Sequence, residues 1–262
     1  MTEGREKNLM TAVQSAELIE GFFAGWQETI IWSCLQGVMG RIYADDMSCP
    51  KRAAAVLGDF CFLVGEADGD FAASCASAMK RHYCILVPQN LKWENAIERA
   101  FGSRAERLTR YGTVKETSFD REKLREIAGL LPGKYELREI DESLFGVCKR
   151  NAWSRDLVSN FDSFEDYRNL GLGVVVLYQG EIVSGASSYS AYRGGIEVEI
   201  DTREDFRRKG LAAVCGAQLI LNCLKRGIYP SWDAHNRESL ALAEKLGYAF
   251  SHSYTAYGVS AR

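Results

Sequence analysis

Residues 196–226, IEVEIDTREDFRRKGLAAVCGAQLILNCLKR, confine the chain to few folds. Ile196, Val198 and Ile200 alternate with Glu197, Glu199 and Asp201, the period of a strand with one apolar face. Then the pattern changes. Leu211–Arg226 is apolar on nearly every side and ends in Lys225-Arg226-Gly227, which predicts a helix covered by a sheet. A strand, a short charged loop and a buried helix in immediate succession require a layered α/β arrangement. The loop is basic at Arg207-Arg208-Lys209 and enters the helix through Gly210. Such a helix start offers an anion several unpaired backbone N–H groups and the positive end of the helix dipole.

The surrounding sequence alternates in the same manner. Tyr135–Ile140 reads as a strand, Leu144–Arg150 and Phe164–Leu170 as helices, and Val174–Tyr178 with Ile182–Tyr189 as a hairpin turning at Gln179-Gly180-Glu181. Beyond the buried helix come a short strand, Tyr229–Trp232, and a helix over Arg237–Leu246 capped by Asn236 and stopped by Gly247. Closing strands follow around Tyr248–Phe250 and Tyr254–Val259. The fold class is mixed α/β, an antiparallel hairpin leading into a β-α-β-α-β run.

The first half carries a fainter version of this ending. Ile85–Val87 is strand-like, Trp93–Phe101 helical with Gly102 after it, and Arg107–Lys115 a closing strand. An internal duplication accounts for the parallel, and two unrelated α/β pieces would give a similar count. The charged segment between the halves predicts an N-terminal α/β domain over 1–120, a linker helix over 121–133 and a second domain over 134–262.

Composition narrows the partners. A net charge of −3 over 262 residues gives no cationic field for a nucleic acid or an anionic membrane, so any phosphate must be gripped locally. The longest apolar stretch is interrupted by Gln218 and Asn222 and the N-terminus has no signal-peptide pattern, so a cytoplasmic protein is expected. The eight cysteines form no CxxC pair and His82, His235 and His252 are scattered, so no metal site is expected and the thiols read as small hydrophobes.

Arg207, Gly210 and Ala212 resemble, position for position, the Arg/Gln-x-x-Gly-x-Gly/Ala signature of the GNAT superfamily of acyl-CoA N-acyltransferases. WDAHNRESLALAEKLGYAF, residues 232–250, resembles that family's second motif. The resemblance covers roughly the last half of the chain and looks like a bacterial subfamily with an extra N-terminal domain, here possessing the features of a degenerate GNAT-like half. It implies acetyl-CoA as co-substrate and a small-molecule or peptide amine as acceptor. The pyrophosphate would lie on Arg207, Arg208, Lys209, Gly210, Leu211 and Ala212. The pantetheine arm would meet the backbone of Ile200 and Thr202 and the side chain of Asn236.

Acyl transfer to an amine needs a base for the amine proton and a proton for the departing thiolate. Glu197 and Glu199 share the strand face opposite Ile196, Val198 and Ile200, and Glu197 stands where many family members carry a glutamate. The tyrosine usual seven residues past the asparagine is replaced by Ala243, a departure that leaves Tyr254, Tyr257, Tyr189 or solvent as the acid. Ser187 and Ser188 are candidates to line the acceptor site. Two other readings stay open: an acyl-CoA-binding module without catalysis, and an interaction protein on the same scaffold.

Overall fold

The computed structural model describes residues 10–13 and 16–260, which divide into two units. One comprises the residues up to Thr109 together with those from Thr255 on. In it β1 (Thr11–Ala12), β2 (Arg41–Ala44), β3 (Arg52–Leu57) and β4 (Phe60–Gly65) pair antiparallel in sequence order. Ala53, Ala54 and Ala55 are fully buried, and their small side chains let α1 (Thr29–Leu35) lie close against β3. β4 leads through α2 (Gly69–Ala78) to β5 (Tyr83–Pro88), which pairs parallel to it, the crossover a parallel pair requires. α3 (Leu91–Phe101) and β6 (Ala105–Thr113) follow. Phe71, Trp93, Ile97 and Leu86 are the centre of this unit's core.

The other unit is Arg110–Tyr254. After α4 (Arg121–Gly129) come β7 (Tyr135–Glu139), α5 (Glu142–Arg150), α6 (Phe164–Leu170), β8 (Gly173–Tyr178), β9 (Glu181–Tyr192) and β10 (Gly195–Thr202). α7 (Leu211–Arg226), β11 (Tyr229–Ser231), β12 (Asp233–Ala234), α8 (Arg237–Lys245) and the start of β13 (Phe250–Ser260), as far as Tyr254, complete it. The main sheet runs β11-β10-β9-β8-β7, antiparallel except for β10 and β11. Gln179 and Gly180, at φ of 51° and 82°, make the tight turn between β8 and β9. α7 is buried along Leu211, Val214, Cys215, Leu219 and Cys223, as its all-round apolar sequence requires.

The segment expected as a linker over 121–133 proves to be part of this unit's core. Leu124 and Ile127, three residues apart on one face of α4, are buried with Ala213, Ala217 and Ile220 of α7. The charges of α4 marked its outer face and concealed the inner one. Nor does the division fall near 120 or the second unit run to 262. β6 and β13 each pass from one unit to the other, and Tyr257–Ser260 of β13 pairs with Leu86–Tyr83 of β5.

Seven of the eight cysteines are buried, and burial pushes the thiols of Cys34, Cys215 and Cys223 up to about 12, so they stay neutral. Among the described residues no helix is long and apolar enough to cross a membrane, and no group of three His, Cys, Asp or Glu side chains stands ready for a metal.

Candidate functional site

β10 and β11 run side by side for three residues only. Gly195, Ile196 and Glu197 pair with Tyr229, Pro230 and Ser231, and there the partnership ends. β10 continues to Thr202 against β9, whereas the chain past Ser231 turns away at Trp232 so that Asp233 and Ala234 pair with Gly112 and Tyr111 of β6. Two parallel strands that part in this way leave an opening lined by the backbone edge of Val198–Thr202. The divergence has local causes. Trp232 is buried, donates from Nε1 to Ser239 Oγ at 3.2 Å, and its carbonyl accepts the Thr113 hydroxyl at 2.6 Å. The register of β9 against β10 also shifts between Glu197 and Val198, a bulge at the point of parting.

Past Thr202 the chain makes a short 3-10 turn, Glu204–Phe206, and enters α7. Its charges are spent on holding its shape. Arg203 bridges Glu181 at 2.9 Å and Asp205 at 2.8 Å, while Lys209 donates to the Asp205 carbonyl at 2.7 Å and lies 4.2 Å from the Phe206 ring centre. Arg207 Nε reaches back to the Thr202 carbonyl at 3.2 Å, tying the helix start to the end of β10. Arg208 and Gly210 both take positive φ, 63° and 80°, and a Cβ on Gly210 would meet nothing within 4 Å. Space therefore lies open over the first amides of α7, whose residues Leu211 and Ala212 begin a sixteen-residue helix. Bare N–H groups, a concentrated dipole and room for approach fit a pyrophosphate.

Asn236 caps α8, accepting from Ser239 N at 2.8 Å, and its amide nitrogen lies 2.9 Å from His235 Nε2. Tyr254 belongs to a separate polar group. Its hydroxyl donates to Asp233 Oδ2 at 2.8 Å, and Asp233 also holds Arg110 at 2.7 Å. Burial works against the Arg110 charge, but Asp233 and Tyr254 outweigh it and raise its pKa. His235, near Arg110, is shifted down by burial and then by that guanidinium.

Glu197 is 5% exposed and shares its face with the half-buried Glu199 and Asp201. Across the sheet it stands between two fully buried serines, Ser190 on β9 and Ser231 on β11. Tyr192, Tyr229 and Tyr248 lie close enough that the Glu197 charge adds to what burial does first, raising all three phenols. Glu199 stands opposite Ser187, whose hydroxyl lies 2.8 Å from the Tyr167 hydroxyl, and Ser188 donates to the Leu172 carbonyl at 3.1 Å. The Asp201 carboxyl is raised by burial, partly offset by its bond from Thr202 N, and Thr202 Oγ1 lies 2.7 Å from Ser184 Oγ. Sequence reasoning passed over Ser190, Ser231 and Asp201, which only the strand register brings beside the glutamates.

A family model described as GNAT acetyltransferase matches residues 20–257. The chain belongs to that family. The GNAT match takes in both units, whereas the sequence motifs lay in the second half alone. A curated relative, the uncharacterized N-acetyltransferase YdfB of Bacillus subtilis (strain 168), is 26% identical over 242 residues, spanning 87% of this chain and 89% of its own. A crystal structure of a GCN5-related N-acetyltransferase-like protein from Streptococcus suis 89/1591 superposes with a TM-score of 0.88 at 48% identity, covering 91% of this chain and 96% of that one. A tandem GNAT protein from the clavulanic acid biosynthesis pathway shares the fold, with a TM-score of 0.51 at 10% identity over 96% and 98% of the two chains.

The GNAT frame invites a comparison of the units. In the first, β4, α2 and β5 stand in the order of β10, α7 and β11, but there the strands do not part. Beyond the last pair Gln89 N donates to the Leu63 carbonyl at 3.0 Å, and its side chain accepts from Gly65 N at 3.0 Å. The start of α2 is closed as well. Asp68 accepts from the amides of Asp70 and Phe71 at 2.9 Å each, and pairs with Arg52 at 2.6 Å.

Proposed function

We propose that this chain is an acyl-CoA-dependent N-acetyltransferase that moves the acetyl group of acetyl-CoA to a primary amine by direct attack. The observation that carries the reading is the parting of β10 from β11 beside the Arg207–Ala212 helix start. The pyrophosphate would take the amides at Leu211 and Ala212, with Arg207, Arg208 and Lys209 adding positive charge. The pantetheine arm would lie along the backbone of Ile200 and Thr202, and Asn236 flanks it on the other side of the opening. One such site per chain is proposed, because Gln89 and Asp68 close the corresponding place in the first unit.

Glu197 is the base of this reading and Glu199 its alternate. The amine nitrogen attacks the thioester carbonyl carbon, the C–N bond forms and the C–S bond breaks. The amine proton passes to the carboxylate, and the departing thiolate takes one from solvent, a modest demand for a thiol of pKa about 8.5. Holding amine and thioester together supplies most of the acceleration.

A second reading, an acyl-CoA-binding module without turnover, is favoured by the fully buried Ala243 at the family's tyrosine position. Native mass spectrometry of protein purified from cells reads out retained coenzyme A or its thioesters. Thioester consumption with a panel of amines then separates enzyme from module. No coenzyme A species under saturating conditions would end both readings.

A further inference from the structure

Glu197 accounts for one charge at the point of parting, and a second one sits across the strand from it. Lys115, half-buried just past β6, donates from Nζ to Ser231 Oγ at 2.7 Å. Ser231 is fully buried and forms a direct register pair with Glu197. Ser231 stands one strand spacing, roughly 5 Å, from Glu197 along the sheet, and the ammonium is bound to its hydroxyl. It forms no ion pair among the described residues. One neutral hydroxyl occupies one of its three donors. On the far side of Glu197, the Ser190 hydroxyl is fully buried and has no hydrogen-bond partner among the described residues. A buried hydroxyl without a partner and a half-buried ammonium with donors to spare are both costly for a fold that gains nothing from them.

The row Ser190–Glu197–Ser231–Lys115 thus sets a carboxylate that can take an amine beside a cation that can take an anion. We propose that Lys115 recognises a carboxylate on the acceptor, so that the substrate is an amine of the amino-acid class, its ammonium toward Glu197 and its carboxylate toward Lys115 and the Ser231 hydroxyl. A single ammonium matches a single negative charge, and a zwitterion matches a row that is itself balanced. A polycationic amine meets repulsion at Lys115, and a phosphate dianion would call for more than one cation. The proposal rests on the acyl-transfer reading above.

The test compares free common amino acids with their methyl esters, their decarboxylated amines and 2-aminoethyl phosphate, in wild type and in Lys115→Met and Lys115→Arg. Wild type is expected to favour free acids over esters by about tenfold or more in kcat/KM. Lys115→Met is expected to erase that preference through KM, so that acids and esters turn over alike, with coenzyme A affinity unchanged and Tm lowered by a few degrees through loss of the bond to the buried Ser231 hydroxyl, and Lys115→Arg to restore part of the preference. Equal turnover of acids and esters by wild type, or preference for the phosphate, overturns the proposal while leaving acyl transfer intact. If no amine is acylated, the enzymatic reading falls. The proposal is then decided by calorimetry of the coenzyme A-loaded protein with the free amino acids and their esters. Acid-selective binding lost in Lys115→Met sustains it, and equal or absent binding ends it.

Discussion

Glu197 and Ser231 face each other across β10 and β11 as the last pair before the two strands separate. The residues proposed for coenzyme A and for proton transfer lie at that pair or further along the chain from it, so the assignments can be tested one residue at a time.

Changing Gly210 probes the helix start. At φ 80° a residue with a side chain pays roughly 1–2 kcal/mol, but asparagine tolerates the conformation and no neighbour blocks its Cβ. Gly210→Asn is expected to keep coenzyme A affinity within a few-fold. Gly210→Glu puts a carboxylate where the phosphates approach and is expected to weaken binding at least about tenfold. Calorimetry on both variants decides it; similar affinities would move the pyrophosphate elsewhere.

Glu197→Gln keeps the shape and removes the proposed base. Turnover is expected to fall by roughly 10²–10⁴ at neutral pH with coenzyme A affinity unchanged, and to recover in part at alkaline pH where the free amine is abundant. Glu199→Gln run in parallel shows which carboxylate acts. Full activity in both variants would send the proton through water.

Tyr254→Phe removes the phenol that donates to Asp233. The expected cost is about 1 kcal/mol of stability and less than about tenfold in turnover. Asp233→Ala, which strands the buried Arg110, is expected to cost about 3–5 kcal/mol in urea unfolding. A loss of a hundredfold or more in kcat for Tyr254→Phe would instead make that phenol the acid.

Asp201 gives a pH signature. Its folded pKa lies above the unfolded value of 3.8, so the folded state holds its proton more tightly. That contribution is full below the unfolded pKa and lost as pH rises through the folded one. Asp201→Asn is therefore expected to stabilise the protein at neutral pH, with the advantage shrinking as the pH approaches 3.8. Denaturant midpoints across pH measure this, and a constant difference would mean that packing, not ionisation, is responsible.

The second unit was the more legible because its signals are local. The alternation of Ile196–Thr202, the apolar run of α7 and the Asn236 cap each declare themselves within one element. The hairpin β3–β4 was not read, because Ala53–Ala55 carry no strand propensity and become a strand only through burial on both faces. The α4 helix was seen and misplaced for want of its partner, α7. Among the residues proposed for the site, the glutamates and the glycine-bearing loop stand out by their spacing. Lys115 and Ser231 do not, since they are separated by 116 positions and meet only through tertiary packing.

The pairing of Tyr257–Ser260 with β5 sets an order of events during synthesis. Residues 83–86 leave the ribosome early, but the strand that covers their free edge emerges only after about 170 further residues. At roughly 5–20 residues per second, that edge waits on the order of ten to thirty seconds. The unit encoded first is therefore finished last, and while it waits it presents an apolar strand edge of the kind that recruits other chains. Crowded expression, slow translation of the second half, or loss of a few C-terminal residues would each be felt first in the N-terminal unit.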